Sequence, residues 1–405
     1  MSGDRLKRVY ARALAGSYPV ALWAIVLIAF GLRLYHATSH DFTGDEDPNI
    51  LLADSIRLNL ASPHLVFTSA GHPLLIAYLA HFGSLVFGKS LLGYRMPLVL
   101  IGSLTCWAVY RLGRELDGKA VGLWAAALIA VDQFHVTASG TVHCHDVPLV
   151  FFGTLALLSC YRITPQGSLR PFLSLGLWMG LAYLGKETAL MIWPALWLFF
   201  LLSKERRAVL RDPRWYLAHI LFLAVVAPDI TWNLAHVSGG GYLRESAGKA
   251  LGGALRVHGR ALSLFLGEVV MIFEPDALGG LSGYWCWPLR TMHWVAGGLY
   301  LFATAWACRF RQRPGVFLLE LCFSVTVLAV TLTPGKEVWD PFWWAAMAMI
   351  PAVILSGLYI NQCVNRDHRS VWVFTPLLVW LLLRTIQTLM EVPFSIEDCV
   401  RSGRL

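Results

Sequence analysis

Ala189–Leu202 reads ALMIWPALWLFFLL, and the chain then turns abruptly to Lys204–Arg214, KERRAVLRDPR. A long uncharged run closed by a basic cluster is how a membrane helix ends on the cytoplasmic side. The same alternation extends both ways. Tyr18–Phe30 is another continuous apolar run, and it follows Arg5, Lys7, Arg8 and Arg12. Across all 405 residues, 57% are hydrophobic and only 14% charged, and the mean hydropathy is +0.57. A soluble domain is roughly a quarter charged, so this chain has too few polar residues to cover a water-facing surface of its size. Barrel strands would alternate in short segments, which these runs do not. The expected fold is all-α, a polytopic membrane protein. The net charge of +8 does not point to nucleic acid, because the basic residues sit in short clusters between apolar runs. The eight cysteines are scattered without metal-ribbon spacing.

A single choice of parity organises the loops. The first run, 17–36, reads as a signal anchor with its N-terminus inside. The segment that follows carries Asp41, Asp45, Glu46, Asp47 and Asp54 against Arg57, which places it outside. Residues 72–88 are best read as a helix lying along the outer face. Spans then fall near 91–110, 120–138, 147–161, 171–185, 188–203, 215–233, 291–308, 315–333, 342–360 and 371–390. The inside loops 111–119, 162–170, 204–214, 309–314 and 361–370 are then all basic. This predicts about eleven spans plus outer-face interfacial helices. Residues 1–390 form one transmembrane domain. Within it, 37–90 is a first outer loop with juxtamembrane helices, 234–290 is a large outer loop, and 391–405 is a short outer tail. Segment 261–273 is too short to cross and reads as a second interfacial or re-entrant helix. The basic residues Arg244, Lys249, Arg256 and Arg260 of the large loop admit two explanations. Either long loops translocate regardless of charge, or an anionic ligand binds there.

The unusual polar residues gather on one side under this parity. Asp45 and Glu46 lie in the first outer loop. His143, Cys144, His145 and Asp146 lie in the second. Lys186 and Glu187 occupy a tight outer hairpin, and Lys336, Glu337 and Asp340 an outer turn. Ionisable residues at membrane depth are costly and usually mark sites. Asp45 and Asp146 form a carboxylate pair drawn from two loops, suited to general-base or metal work. His143 and His145 flank Asp146, so Asp45, Asp146, His143 and His145 are the candidate ligands for a divalent ion, Mg, Mn or Zn. His-x-His-Asp is by itself a weak metal signal.

These residues carry a resemblance. GDEDPNILLADSIRLNL (44–60) and GHPLLIAYLAHFGSLVFGKSLLGYRMP (71–97) resemble the first outer loop of the protein O-mannosyltransferase family and its bacterial relatives of the aminoarabinose transferase type. All belong to the C-type glycosyltransferase superfamily. TVHCHDVPLVFF (141–152) resembles the family's second acidic loop, matched at Asp146. GLAYLGKETALMIWPAL (180–196) resembles its lysine hairpin, matched at Lys186. APDITWNLAH (227–236) and TPGKEVWDPFWWAAMAMIPAVIL (333–355) follow in the expected order. Leu74 departs from the His-Pro-Pro pattern, and no soluble outer domain of the kind many bacterial members carry follows the last apolar run.

The resemblance implies a membrane glycosyltransferase. It would take a sugar from a polyprenyl-phosphate donor to an acceptor at the outer or lumenal face, with inversion. Asp45 is then the first choice for the base, Asp146 the second carboxylate, and Glu46 a support for Asp45. Arg95, Lys186, Arg260 and Lys336 become the cations for the phosphate, although Arg95 and Arg260 could equally snorkel to headgroups. His72 is either an acceptor-side hydrogen-bonding residue or a helix-start residue. The partners expected are the donor, a lipid-linked or small glycan acceptor and membrane lipids, and not nucleic acid. The expected location is a bacterial inner membrane with the site on the periplasmic face. A transporter or flippase of lipid-linked sugars is the alternative. It predicts repeats and midplane charges, whereas here the charges gather at one face.

Overall fold

The computed structural model describes residues 3–40, 42, 46–57, 73–236, 298–332 and 346–391, which are helical with short turns between. In chain order the helices are α1 (Gly3–Ser39), α2 (Asp47–Ser55), α3 (Leu75–Phe87), α4 (Leu91–Asp117), α5 (Lys119–Ala130), α6 (Gln133–Ala138), α7 (Asp146–Arg162), α8 (Arg170–Gly185), α9 (Ile192–Leu202) and α10 (Pro213–His236). The next described helices are α11 (298–307), α12 (Pro314–Leu332), α13 (Ala346–Arg366) and α14 (Val371–Glu391). Four stretches are long and apolar enough to cross a membrane: Tyr18–Ser39, Leu91–Asp117, Ala348–Arg366 and His368–Gln387. The exposed residues of α1 and α14 include Val20, Leu27, Trp372 and Leu383, while Arg33 is fully buried. That inversion of the soluble pattern suits lipid outside and polar partners within.

Hairpins build the bundle. α4 turns into α5 at Gly118, whose φ of +100° favours a residue without Cβ. α7 and α8 pack side by side, α10 lies on α8, α13 on α5 and α7, and α12 between α9 and α13. On α8, Gly176 and Gly180 form a G-x-x-x-G stripe. A Cβ on Gly176 would meet the Ala218 carbonyl, and one on Gly180 would meet Val225 at 2.6 Å. α8 and α10 therefore approach at backbone distance, as small-residue stripes allow in membranes.

The connections expected inside do meet at one end. Arg313 bonds Asp117 at 2.9 Å and Arg162 bonds Glu115 at 2.6 Å. Arg206 donates to the Tyr161 carbonyl at 2.6 Å, and Arg214 donates to the Gly167 and Pro165 carbonyls. Gly357 packs on Val121 and Ala125 of α5, which brings the Arg366 end of α13 to the same end of the bundle.

Two sequence expectations meet a different outcome. The span expected over 120–138 is broken. α5 stops at Ala130 and α6 restarts after Val131-Asp132. The cause is a set of side chains from distant helices. Arg33 donates to the carbonyls of Ile129 (3.2 Å) and Ala130 (3.3 Å), and Thr385 donates to that of Val131 at 2.8 Å. Asp132 caps α6 by accepting from the His135 amide at 3.0 Å, and it also accepts from the Tyr300 hydroxyl at 3.1 Å. A helix end leaves carbonyls without partners, and inside a bilayer water does not replace them. α5 rises about 18 Å from Lys119, so the break falls at membrane depth. The second difference is smaller: the span expected at 188–203 opens as a 3-10 turn over Glu187–Met191 before α9. The expectation for 72–88 fits α3, which at about 20 Å is too short to cross. Its residues Phe82, Leu85, Val86 and Phe87 are exposed. Segments 261–273 and 392–405 lie outside the described residues.

Candidate active site

The end of the bundle opposite the basic connections holds two buried ion pairs. The first joins the loop before α2 to α4. Arg95 donates from Nε to Glu46 Oε1 at 2.9 Å and from Nη2 to Glu46 Oε2 at 2.5 Å, and both side chains are fully buried. Arg95 Nη1 also donates to the carbonyls of Ala37 (2.9 Å) and His40 (2.7 Å) at the end of α1. Glu46 Oε1 accepts from the Val142 amide at 2.8 Å. This pair fastens α1, α2, α4 and the α6–α7 connection together.

The second pair lies four residues further along that connection. Lys186 Nζ sits 2.9 Å and 3.1 Å from the two oxygens of Asp146, and both residues are buried. Asp146 opens α7 and Lys186 ends α8. A carboxylate in the first turn favours a helix N-terminus. The neighbouring His145 lies with Nδ1 3.0 Å from the Gly185 carbonyl, so Nδ1 carries the proton and Nε2 the lone pair. The Cys144 thiol faces Asp146 Oδ2 at 3.8 Å. α7 and α8 rise about 25 Å from their basic ends, so the pair sits just within the hydrocarbon boundary. An unpaired charge there would be costly, which explains why the two charges are found together.

α2 and α3 form the cover over this end. Asp54 accepts from the Tyr94 hydroxyl (2.9 Å) and from Lys89 (2.8 Å), and His81 Nδ1 lies 2.7 Å from the Ala53 carbonyl. The Lys89 ammonium holds the Asp54 carboxyl below the usual carboxylate range. α2 is thus pinned at both ends, by Glu46 and by Asp54. Near the same end α10 carries Asp229, which is buried, faces the Tyr183 hydroxyl and lies near Glu187.

The structure therefore brings Glu46, Arg95, His143, His145, Asp146 and Lys186 to one end of the bundle. Asp45, His72, Arg260 and Lys336 lie outside the described residues. Two roles assigned from sequence take a different form. Arg95, expected to meet a phosphate, is enclosed by Glu46 and two carbonyls. Glu46, expected to support Asp45, is occupied by Arg95 and Val142. Among the described residues no three His, Cys, Asp or Glu side chains gather as a metal site. Both Asp146 oxygens face an ammonium, which competes with a divalent cation. Sequence reasoning also passed over Arg33, Asp132 and Asp229. Each is a charge inside an apolar run, and that signal alone would have found them.

Residues 71–232 match the family model described as dolichyl-phosphate-mannose-protein mannosyltransferase. The lipid A galacturonosyltransferase RgtD of Rhizobium johnstonii is 26% identical over 213 residues, covering 52% of this chain and 43% of that protein. The polyprenol-phosphate-mannose–protein mannosyltransferase of Corynebacterium glutamicum is 32% identical over 91 residues, covering 22% of this chain and 18% of that protein. The chain thus spans less than half the length of these relatives. ArnT from Cupriavidus metallidurans, solved with undecaprenyl phosphate, shares the fold with a TM-score of 0.64 at 13% identity, covering 93% of this chain and 71% of that one. The oligosaccharyltransferase AglB from Archaeoglobus fulgidus, solved with an inhibitory peptide and a dolichol-phosphate, gives 0.53 at 14% identity, covering 92% and 55%. Residues 71–232 thus resemble this mannosyltransferase family, and the helical fold is similar to those of ArnT and AglB.

Proposed function

We propose that the chain transfers a sugar from a polyprenyl-phosphate carrier to a lipid-linked or small glycan acceptor, with inversion. The reaction would take place at the outer face of a bundle of about eleven spans. The observation that carries this reading is the Asp146–Lys186 pair, a buried carboxylate and ammonium held at the ends of α7 and α8. A polyprenyl-phosphate sugar entering from the bilayer brings a phosphodiester monoanion that competes with Asp146 for the ammonium. Lys186 then neutralises the charge growing on the departing phosphate. A carboxylate accepts the acceptor hydroxyl proton while the new O–C bond forms and the C–O bond to phosphate breaks on the opposite side. Asp45 is our first choice for that base and Asp146 the second carboxylate. Glu46, next to Asp45 in the chain, is tied through Val142 to the connection that ends at Asp146. Arg260 and Lys336 are proposed further phosphate cations, and His72 a contact on the acceptor side. A divalent ion, Mg, Mn or Zn, would be held by Asp45, Asp146, His143 and His145.

The basic connections that meet at the other end support a cytoplasmic placement for that end, and the bacterial relatives support an inner membrane as the location. An Ala208→Cys variant should react with an impermeant thiol reagent from the inside only, and Gly240→Cys from the outside only. Labelling of Ala208→Cys from outside would overturn the placement. The relative named for lipid A supports a lipid-linked acceptor. Membranes given radiolabelled polyprenyl-phosphate sugar should release polyprenyl phosphate and carry label into the organic extract. Label confined to protease-sensitive, extraction-resistant material would instead establish a protein acceptor.

A further inference from the structure

At the basic end of the bundle, away from the ion pairs, α11 and α13 enclose a cavity of about 220 Å³. Its walls are Phe302, Trp306, Tyr359, Gln362, Cys363 and Arg366. The rings form a continuous aromatic wall. Tyr359 meets Phe302 edge-on at 5.2 Å and Trp306 at 5.1 Å. Trp306 in turn meets Phe310 at 4.8 Å. Arg366, in the last turn of α13, stands exposed at the mouth.

Unlike several arginines at this end, Arg366 has no ion-pair partner among the described residues. At this end Arg162 is held by Glu115, Arg214 by Asp212, Arg311 by Glu320 and Arg313 by Asp117. Among the described residues, no hydrogen bond or ion pair engages the Arg366 guanidinium. Arg309 is likewise exposed and without such a partner, and it adjoins Phe310 in the aromatic wall. Gln362, one turn back from Arg366, places an amide in the same cavity. An uncommitted guanidinium above amphipathic rings at the end of a membrane helix has the donors for a phosphodiester and apolar walls for a glycerol backbone. The volume is roughly seven times a water molecule's share of the liquid, enough for such a headgroup.

From this geometry we infer that the cavity binds the phosphodiester headgroup of an anionic phospholipid from the leaflet at the basic end. Basic pockets between membrane helices on the cytoplasmic side take such headgroups. The site does not depend on the sugar-transfer reading, because it lies at the other end of the bundle and shares no residue with it.

The test uses the full chain in nanodiscs of mixed phosphatidylglycerol and phosphatidylcholine, released and weighed by native mass spectrometry. The wild-type protein should retain phosphatidylglycerol over phosphatidylcholine. Arg366→Gln should cut that preference about fivefold, the effect of one surface arginine near an anionic headgroup. Arg366→Lys should keep most of it. Arg366 is exposed, so neither variant should disturb folding, and an unchanged thermal unfolding curve checks this. Equal retention of both lipids by the wild type, or an unchanged preference in Arg366→Gln, would overturn the inference. So would displacement of phosphatidylglycerol by millimolar inorganic phosphate, which would make the cavity a small-anion site.

Discussion

Arg95→Met is expected to lower stability by about 3–5 kcal/mol, because it leaves a buried carboxylate without its counter-charge. Glu46 and Arg95 are both fully buried, and the Arg95 donors also close the end of α1. Glu46→Gln should also destabilise, because it leaves the buried Arg95 guanidinium without its counter-charge and turns an amide NH2 toward one of its donors, while the amide oxygen still accepts from Val142. The double variant Glu46→Leu/Arg95→Met should recover part of the loss, because replacing both members of a buried pair by apolar side chains is often neutral. Unfolding in detergent, followed by tryptophan fluorescence and by the fraction that remains monodisperse, measures all three. A single Arg95→Met variant as stable as the wild type would show that the pair is not a brace.

Asp146→Asn is expected to reduce turnover by a factor of about 100 to 10,000, the usual consequence of removing one essential proton-transfer or charge-handling group. Asparagine keeps the shape of the side chain but leaves Lys186 buried without its counter-charge, so the variant should fold with lower stability and retain polyprenyl phosphate, whose anion takes the place of Asp146. Lys186 then loses its resting partner and stays available to the phosphate. Asp45→Asn should show a comparable loss, and Lys186→Gln should lose phosphate binding as well as turnover. Polyprenyl phosphate release from labelled donor gives the rate, and lipid retained on the purified protein gives the binding. Near-normal turnover in both Asp45→Asn and Asp146→Asn would sink the catalytic assignment and return the transporter reading.

Hydropathy made the helices legible, since each apolar run reports its own environment without reference to the rest of the chain. Parity made the two ends legible. It placed Asp146 and Lys186 on one side, and the structure brings them together. Pairing was not legible. Glu46 and Arg95 stand 49 positions apart, and nothing local tells whether an arginine at a helix start faces a ligand or a glutamate. That depends on the rotation of α4 against α1 and on where the 142–146 connection passes. The interruption of α5 escaped for the same reason. Its carbonyls are met by Arg33 and Thr385, 97 positions before Ala130 and 254 after Val131. Apolar composition favoured an unbroken span, and distant side chains decided otherwise.

That interruption bears on how the protein is made. Val131 relies on a hydroxyl from α14 and Asp132 accepts from a phenol on α11, both synthesised long after α5 enters the bilayer. Until those helices arrive, Val131 and Asp132 lack these two contacts at membrane depth, and the interruption is held by Arg33 of the first helix and by the His135 amide. Biogenesis therefore has a waiting state, in which α1 guards α5 and α6 until the late helices lock against them.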